Sequence, residues 1–122
     1  MPPRDWRVRL QDIVEAAERI ERYTTGMDLE AFVANDMAAD AVTRNLSIIG
    51  EATRYVPAEV QAKYTDVPWR LIRSTRNVLI HDYPVIDLEI VWQTIRDDLP
   101  PTVARIREIL ALEQDSDDPV ST

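Results

Sequence analysis

Apolar residues recur at helical spacing from the start of the chain. Trp6, Leu10, Ile13, Ala17, Ile20 and Thr24 alternate steps of four and three, so they share one face of a helix over 5–25. Glu15 and Glu18 stand four residues before Arg19 and Arg22 on the solvated side. Each such pair is expected to add about 0.2–0.5 kcal/mol. Gly26 predicts the stop, since glycine readily takes the left-handed conformation that ends helices. Asp28 is placed to cap a short turn through Phe32, and Asp36 or a neighbour to start a second long helix running to about Val56. Ala41, Val42, Ile48, Ile49, Ala52 and Val56 form its apolar face. Asn45 interrupts that face, and Gly50 costs helix propensity, about 1 kcal/mol relative to alanine. Both predict close approach of another helix.

Further along, Pro57 opens a short helix over 57–63, Tyr64 to Val67 connect, and Pro68 starts the next helix. Asp87 caps another, with Leu88, Val91, Trp92, Ile95 and Leu99 on one stripe. Pro100 and Pro101 predict a break and a new start, because neither can donate a helical hydrogen bond. Val103, Ile106, Ile109 and Leu110 carry the last helix to about Glu113. No stretch shows period-two alternation between turn signals, so no sheet is assigned. The pattern predicts an all-α bundle of four main helices with one or two short ones. It forms a single domain over 1–113, followed by an acidic flexible tail over 114–122.

Composition narrows the chemistry. The 122 residues include no cysteine and one histidine. Disulfides and thiolate chemistry are excluded, and a structural zinc site, which takes four nitrogen or sulfur ligands, is not supported. No metal or cofactor is expected. No apolar run approaches the roughly 20 residues of a membrane span. Met1-Pro2-Pro3-Arg4-Asp5 has no apolar core after it, so it does not read as a signal peptide, and a cytoplasmic location is the expectation. The net charge of −8 argues against a broad electrostatic grip on nucleic acid. The acids are uneven: residues 87–122 hold nine acids and three arginines.

One stretch runs against that balance. Between 69 and 83, Arg70, Arg73 and Arg76 face a single carboxylate, Asp82, and the same stretch holds the only histidine, His81. On a helix, Arg73, Arg76, Asn77 and His81 fall in one arc, with Leu71, Ile72, Val78 and Leu79 opposite and packing the core. Asn77 and His81 are an i, i+4 pair. Tyr83 precedes Pro84, so the helix is expected to end at His81–Tyr83 with Tyr83 exposed. An imidazole moves a proton near neutral pH, and a guanidinium holds a phosphate with two hydrogen bonds, which suits phosphodiester chemistry without a metal. The residues alone leave a second reading open. In that reading a basic helix face simply carries a terminal histidine, favourable against the helix dipole. Glu51 likewise reads either as an ordinary partner of an arginine or as a group that orients Arg73 or Arg76.

Arg76-x4-His81-x-Tyr83, with Asn77 directly after the arginine, resembles the signature of HepT-like toxins in the HEPN superfamily. Asp28 to Phe32 and Ala41 to Ala52 resemble the family's second helical region. Pro68-Trp69, Ile86-Asp87-Leu88, Val91-Trp92 and Leu99-Pro100 follow in family order, so the likeness covers about residues 5–112. Pro84 departs from it, since an aromatic is common there. The resemblance implies a HEPN bundle and a homodimer in which Arg76 and His81 of both chains line one cleft. It implies a metal-independent endoribonuclease, the toxin of a type VII-like (HepT/MntA) toxin–antitoxin system, whose RNA product ends in a 2′,3′-cyclic phosphate. His81 would transfer protons, Arg76 would clamp the phosphate, Asn77 would orient either, and Arg73 would bind backbone. An MntA-type nucleotidyltransferase antitoxin would silence it by attaching AMP to Tyr83. The alternative is a catalytically silent HEPN dimer that binds nucleotide or RNA or serves as a protein adaptor.

Overall fold

The computed structural model describes residues 5–80 and 87–116, and their side chains except those of 76–80 and 114–116. The elements are α1 (Trp6–Tyr23), α2 (Leu29–Ala34), α3 (Asp36–Arg54), α4 (Ala58–Lys63), α5 (Trp69–Ile80), α6 (Leu88–Gln93), a π turn (Thr94–Asp98) and α7 (Leu99–Ser116). There is no strand among the described residues, as the absence of period-two patterning predicts. Since α6, the π turn and α7 are continuous, the bundle has four main helices and two short ones.

The caps explain the boundaries. The Asp5 carboxylate accepts from the Arg7 N–H at 2.9 Å and starts α1. Gly26, at φ +77°, supplies the left-handed turn after α1. Asp28 accepts from Ala31 N–H at 2.8 Å, and Asn35, rather than Asp36, caps α3 by accepting from Ala38 N–H at 3.0 Å. The Asp87 carboxylate accepts from Glu89 N–H at 3.1 Å and starts α6.

α3 is the central helix. It packs along α1 on one side and α5 on the other, and α1 also packs on α7. Arg9 meets Tyr55 and Arg19 meets Asn45, so α1 and α3 are antiparallel. Thr75 donates to the Leu46 carbonyl at 3.1 Å, and Leu46 and Ile49 share a cavity wall with Leu71, Ile72 and Thr75. α5 therefore runs antiparallel to α3, with Thr75 level with Leu46. Leu10, Ile13, Phe32, Val42, Ile49, Ile106 and Ile109 are fully buried between these helices, and Phe32 meets Trp92 with ring centroids 5.2 Å apart.

Three expectations are corrected. Pro100 and Pro101 do not break the helix. The preceding turn widens instead, with Leu99 N–H donating to the Thr94 carbonyl five residues back, and the two prolines sit in the first turn of α7. Leu71 is 50% exposed rather than packed. It stands over a groove bounded by Val67, Pro68 and Pro101, where the turn into α5 and the start of α7 leave that flank of the helix uncovered. The pairs Glu15–Arg19 and Glu18–Arg22 do not form. Arg19 Nε donates to the Asn45 side chain at 2.8 Å, and Glu18 lies 3.7 Å from Arg107 of α7. In each case the partner taken lies on another helix. α7 continues to Ser116, past the expected end at Glu113, and the expected end of α5 at His81–Tyr83 lies outside the described residues.

The far end of α7 is tied to the α3–α5 connection. Glu113 accepts from the Tyr64 hydroxyl and from Lys63 Nζ at 2.9 Å. The Tyr64 hydrogen bond first, then Lys63, holds the Glu113 carboxyl below its ordinary 4.5. A depressed folded-state pKa contributes stability that is complete above the unfolded value and lost as pH falls through the folded one. Glu113→Gln is therefore expected to lower the urea midpoint at pH 7, with the gap to wild type closing as pH falls below 4.5. A gap that persists or widens in acid would show that this carboxylate is not what ties α7 down.

Candidate active site

The described part of the motif, Arg76 and Asn77, lies toward the C-terminal end of α5. α5 carries Arg70 and Arg73 in its first two turns and Arg76 and Asn77 in its last, and it is described to Ile80. The side chains of Arg76 and Asn77, and the whole of His81 and Tyr83, lie outside what the structure describes. Arg73 is exposed, as its arc predicts, and so is Arg70. The antiparallel register set by Thr75 and Leu46 puts Arg76 level with Asn45 and Asn77 level with Arg44. The C-terminal end of α5 thus shares its end of the bundle with the N-terminal half of α3 and the C-terminal half of α1.

Two α3 residues matter here, and sequence reasoning gave neither a role. Asn45 is buried at 4% exposure, yet both ends of its amide are used. Its oxygen accepts from Arg19 Nε, and its nitrogen donates to the Ala41 carbonyl at 2.8 Å. A buried amide so satisfied fixes its neighbours rather than costing stability, and it anchors Arg19 beside the level of the motif. The only sequence signal was that Asn45 interrupts an apolar face. Arg44 is exposed on the open side of α3. Arg44, Arg70 and Arg73 form no ion pair among the described residues, whereas Arg7, Arg105 and Arg107 are each held by carboxylates. In an acidic chain, exposed cations without an acid partner among the described residues are available to an anionic ligand.

Glu51 sits on the same open side, toward the other end of α3. Its Oε1 is 3.7 Å from Arg54, and its Oε2 is buried. Arg54, one turn on along the same helix, is thus one neighbour of the Glu51 carboxylate.

Other features lie elsewhere. A cleft of about 360 Å³ between α1 and α7 is lined by Glu18, Glu21, Arg96 and Arg107, on the face away from this side of α3. Among the described residues no group of three or more His, Asp or Glu side chains could hold a metal ion. Among them, too, no helix is long and apolar enough to cross a membrane.

Comparison with known proteins places this arrangement. A family model described as Ribonuclease HepT-like matches residues 13–109. The chain is 39% identical over 100 residues to the RNase candidate MJ1380 of Methanocaldococcus jannaschii, covering 82% of this chain and 92% of that protein. It is 34% identical over 100 residues to a protein of Thermococcus cleftensis named "Probable ribonuclease HepT", covering 82% and 91%. The RNase candidate TTE0752 of Caldanaerobacter subterraneus is 34% identical over 105 residues, covering 86% and 94%. No solved structure matches the chain significantly. The match runs from the middle of α1 through α7 and includes every motif position, so the chain belongs to the HepT-like ribonuclease family of the HEPN superfamily.

Proposed function

We propose that this protein is a metal-independent endoribonuclease acting in the cytoplasm as the toxin of a HepT/MntA-type pair. The observation that carries the reading is the ordered motif Arg76-x4-His81-x-Tyr83, in a chain of the HepT-like ribonuclease family. The exposed cations Arg44, Arg70 and Arg73, none of them in an ion pair among the described residues, support it.

Cleavage by internal attack needs a base to take the 2′-hydroxyl proton and an acid to protonate the departing 5′ oxygen. His81 is the proton-transfer group. Arg76 clamps the scissile phosphate and stabilises its developing charge with two parallel hydrogen bonds. Asn77 orients His81 or the phosphate, Arg73 holds the flanking backbone, and Glu51 supports these arginines. One imidazole does not easily serve both sides of an in-line displacement. A two-fold dimer supplies the second by setting two motif helices across one cleft. Val33, Met37 and Ile90, all exposed apolar residues on α2, α3 and α6, support a dimer at the motif end of the bundle. The product is a 2′,3′-cyclic phosphate and a 5′-hydroxyl.

Tyr83 is the regulatory residue. An MntA-type nucleotidyltransferase attaches AMP to its hydroxyl. The added phosphate charge and adenosine then compete with RNA for Arg73 and Arg76.

His81→Ala and Arg76→Ala are each expected to lower RNA cleavage by at least about a hundredfold, the usual size of a general acid–base contribution. The variants should keep the helical circular dichroism and the dimeric mass by light scattering. Folded variants that still cleave would remove these residues from the chemistry, and unfolded ones would make the side chains structural.

Tyr83→Phe is expected to keep cleavage and escape silencing. After co-expression with a cognate transferase, intact-mass spectrometry should show the AMP increment on wild type and not on Tyr83→Phe. An increment that persists in the variant places the modification elsewhere.

A further inference from the structure

Tyr55 ends α3 on its open side, and half of the residue faces solvent at 48% exposure. The guanidinium carbon of Arg9 lies 4.3 Å from its ring centroid, close cation–π contact, and that of Arg54 lies at 5.9 Å. The two arginines differ. Arg54 lies 3.7 Å from the carboxylate of Glu51, one turn back on α3. Arg9 forms no ion pair among the described residues, and its Nε is buried without a hydrogen-bond acceptor. A buried N–H without an acceptor is costly, while the flat guanidinium packs over the ring.

A half-exposed tyrosine beside a guanidinium that forms no ion pair among the described residues is a pairing that single-stranded nucleic acid uses. A base stacks on the aromatic face, and the backbone phosphate takes the cation. Tyr55 is ten residues along α3 from Asn45, which is level with Arg76. At 1.5 Å per residue the separation is about 15 Å along the bundle, roughly four stacked nucleotides at 3.4 Å each. Arg44, level with Asn77, lies on the same open stripe of α3 at the motif end of this span.

We propose that Tyr55 and Arg9 form a second RNA contact point, where one unpaired base stacks on the Tyr55 ring and a neighbouring phosphate is held by Arg9; this rests on the ribonuclease reading. The site lengthens the RNA footprint beyond the motif and favours single strands, because a base in a duplex has no free face. It explains why Arg9 is left without a carboxylate in an acidic chain.

The test is RNA binding by fluorescence anisotropy, with His81→Ala as the parent so that substrate survives. The probes are a single strand of about 12 nucleotides, within the size of known single-strand sites, and a dinucleotide too short to reach from the motif. In this parent, Tyr55→Ala and Arg9→Gln are expected to raise Kd for the longer strand about tenfold, the order of one stacked base. Tyr55→Phe should bind like the parent, and the Tyr55→Ala penalty should vanish for the dinucleotide. A folded Tyr55→Ala that binds the longer strand normally overturns the proposal. So does an equal loss for both probes, which would make the ring structural, or a fall to monomer mass, which would make it a protein contact. A parent that binds neither RNA overturns the subsite and the ribonuclease reading together. A parent that binds RNA without Tyr55 dependence overturns the subsite alone.

Discussion

Everything in this bundle depends on α3 being enclosed by α1, α5 and the core. A helix packed on three sides must be apolar or small over most of its circumference, and α3 is. Ala38, Ala39, Val42, Leu46, Ile49, Gly50, Ala52 and Thr53 are all buried. Only one stripe stays open, through Asp40, Arg44, Ser47, Glu51 and Tyr55. Polar residues elsewhere on α3 must be satisfied internally, and they are. Asn45 is bonded to Arg19 and Ala41, and Thr53 donates to the Ile49 carbonyl at 2.8 Å. Because Thr75 also donates to α3, at Leu46, the same helix fixes the register of α5 and so where the motif helix presents its basic arc.

The electrostatic arrangement follows from that enclosure. The chain carries a net charge of −8, and much of the acid lies in α6, α7 and beyond. Several arginines are tied to those acids or to their neighbours: Arg105 to Asp66 and Glu108, and Arg107 to Glu18. Arg44 on α3 and Arg70 and Arg73 on α5 are exposed and form no ion pair among the described residues. A net negative charge weakens indiscriminate binding of nucleic acid, and guanidinium groups without an acid partner among the described residues leave local positive charge on α3 and α5.

Local signals in the sequence carried most of the fold. The apolar spacing of α1, the caps at Asp28 and Asp87 and the stop at Gly26 each act within one or two turns, so they are visible without knowing the partners. What escaped was set by long-range packing. The prolines at 100 and 101 read as a break because a helix of fixed period cannot seat them, and a turn widened to five residues has no signature at that period. Leu71 read as core because its arc is apolar, but its burial depends on where the start of α7 lands. Arg19 read as an i, i+4 partner, and a better acceptor on α3 takes it. The site divides the same way. The motif is legible as an ordered string, while the residues that face its level from α3, Arg44 and Asn45, and the Arg9–Tyr55 stack become visible only once helices distant in sequence are side by side.

The central claim is that the basic arc of α5 performs metal-free transesterification of RNA. The most direct measurement incubates purified protein with single-stranded RNA in excess EDTA and identifies the new ends. Cleavage that leaves a 2′,3′-cyclic phosphate and a 5′-hydroxyl, and that is lost in His81→Ala, is the predicted result. Cleavage that needs a divalent ion, or products with a 3′-hydroxyl and a 5′-phosphate, would contradict it.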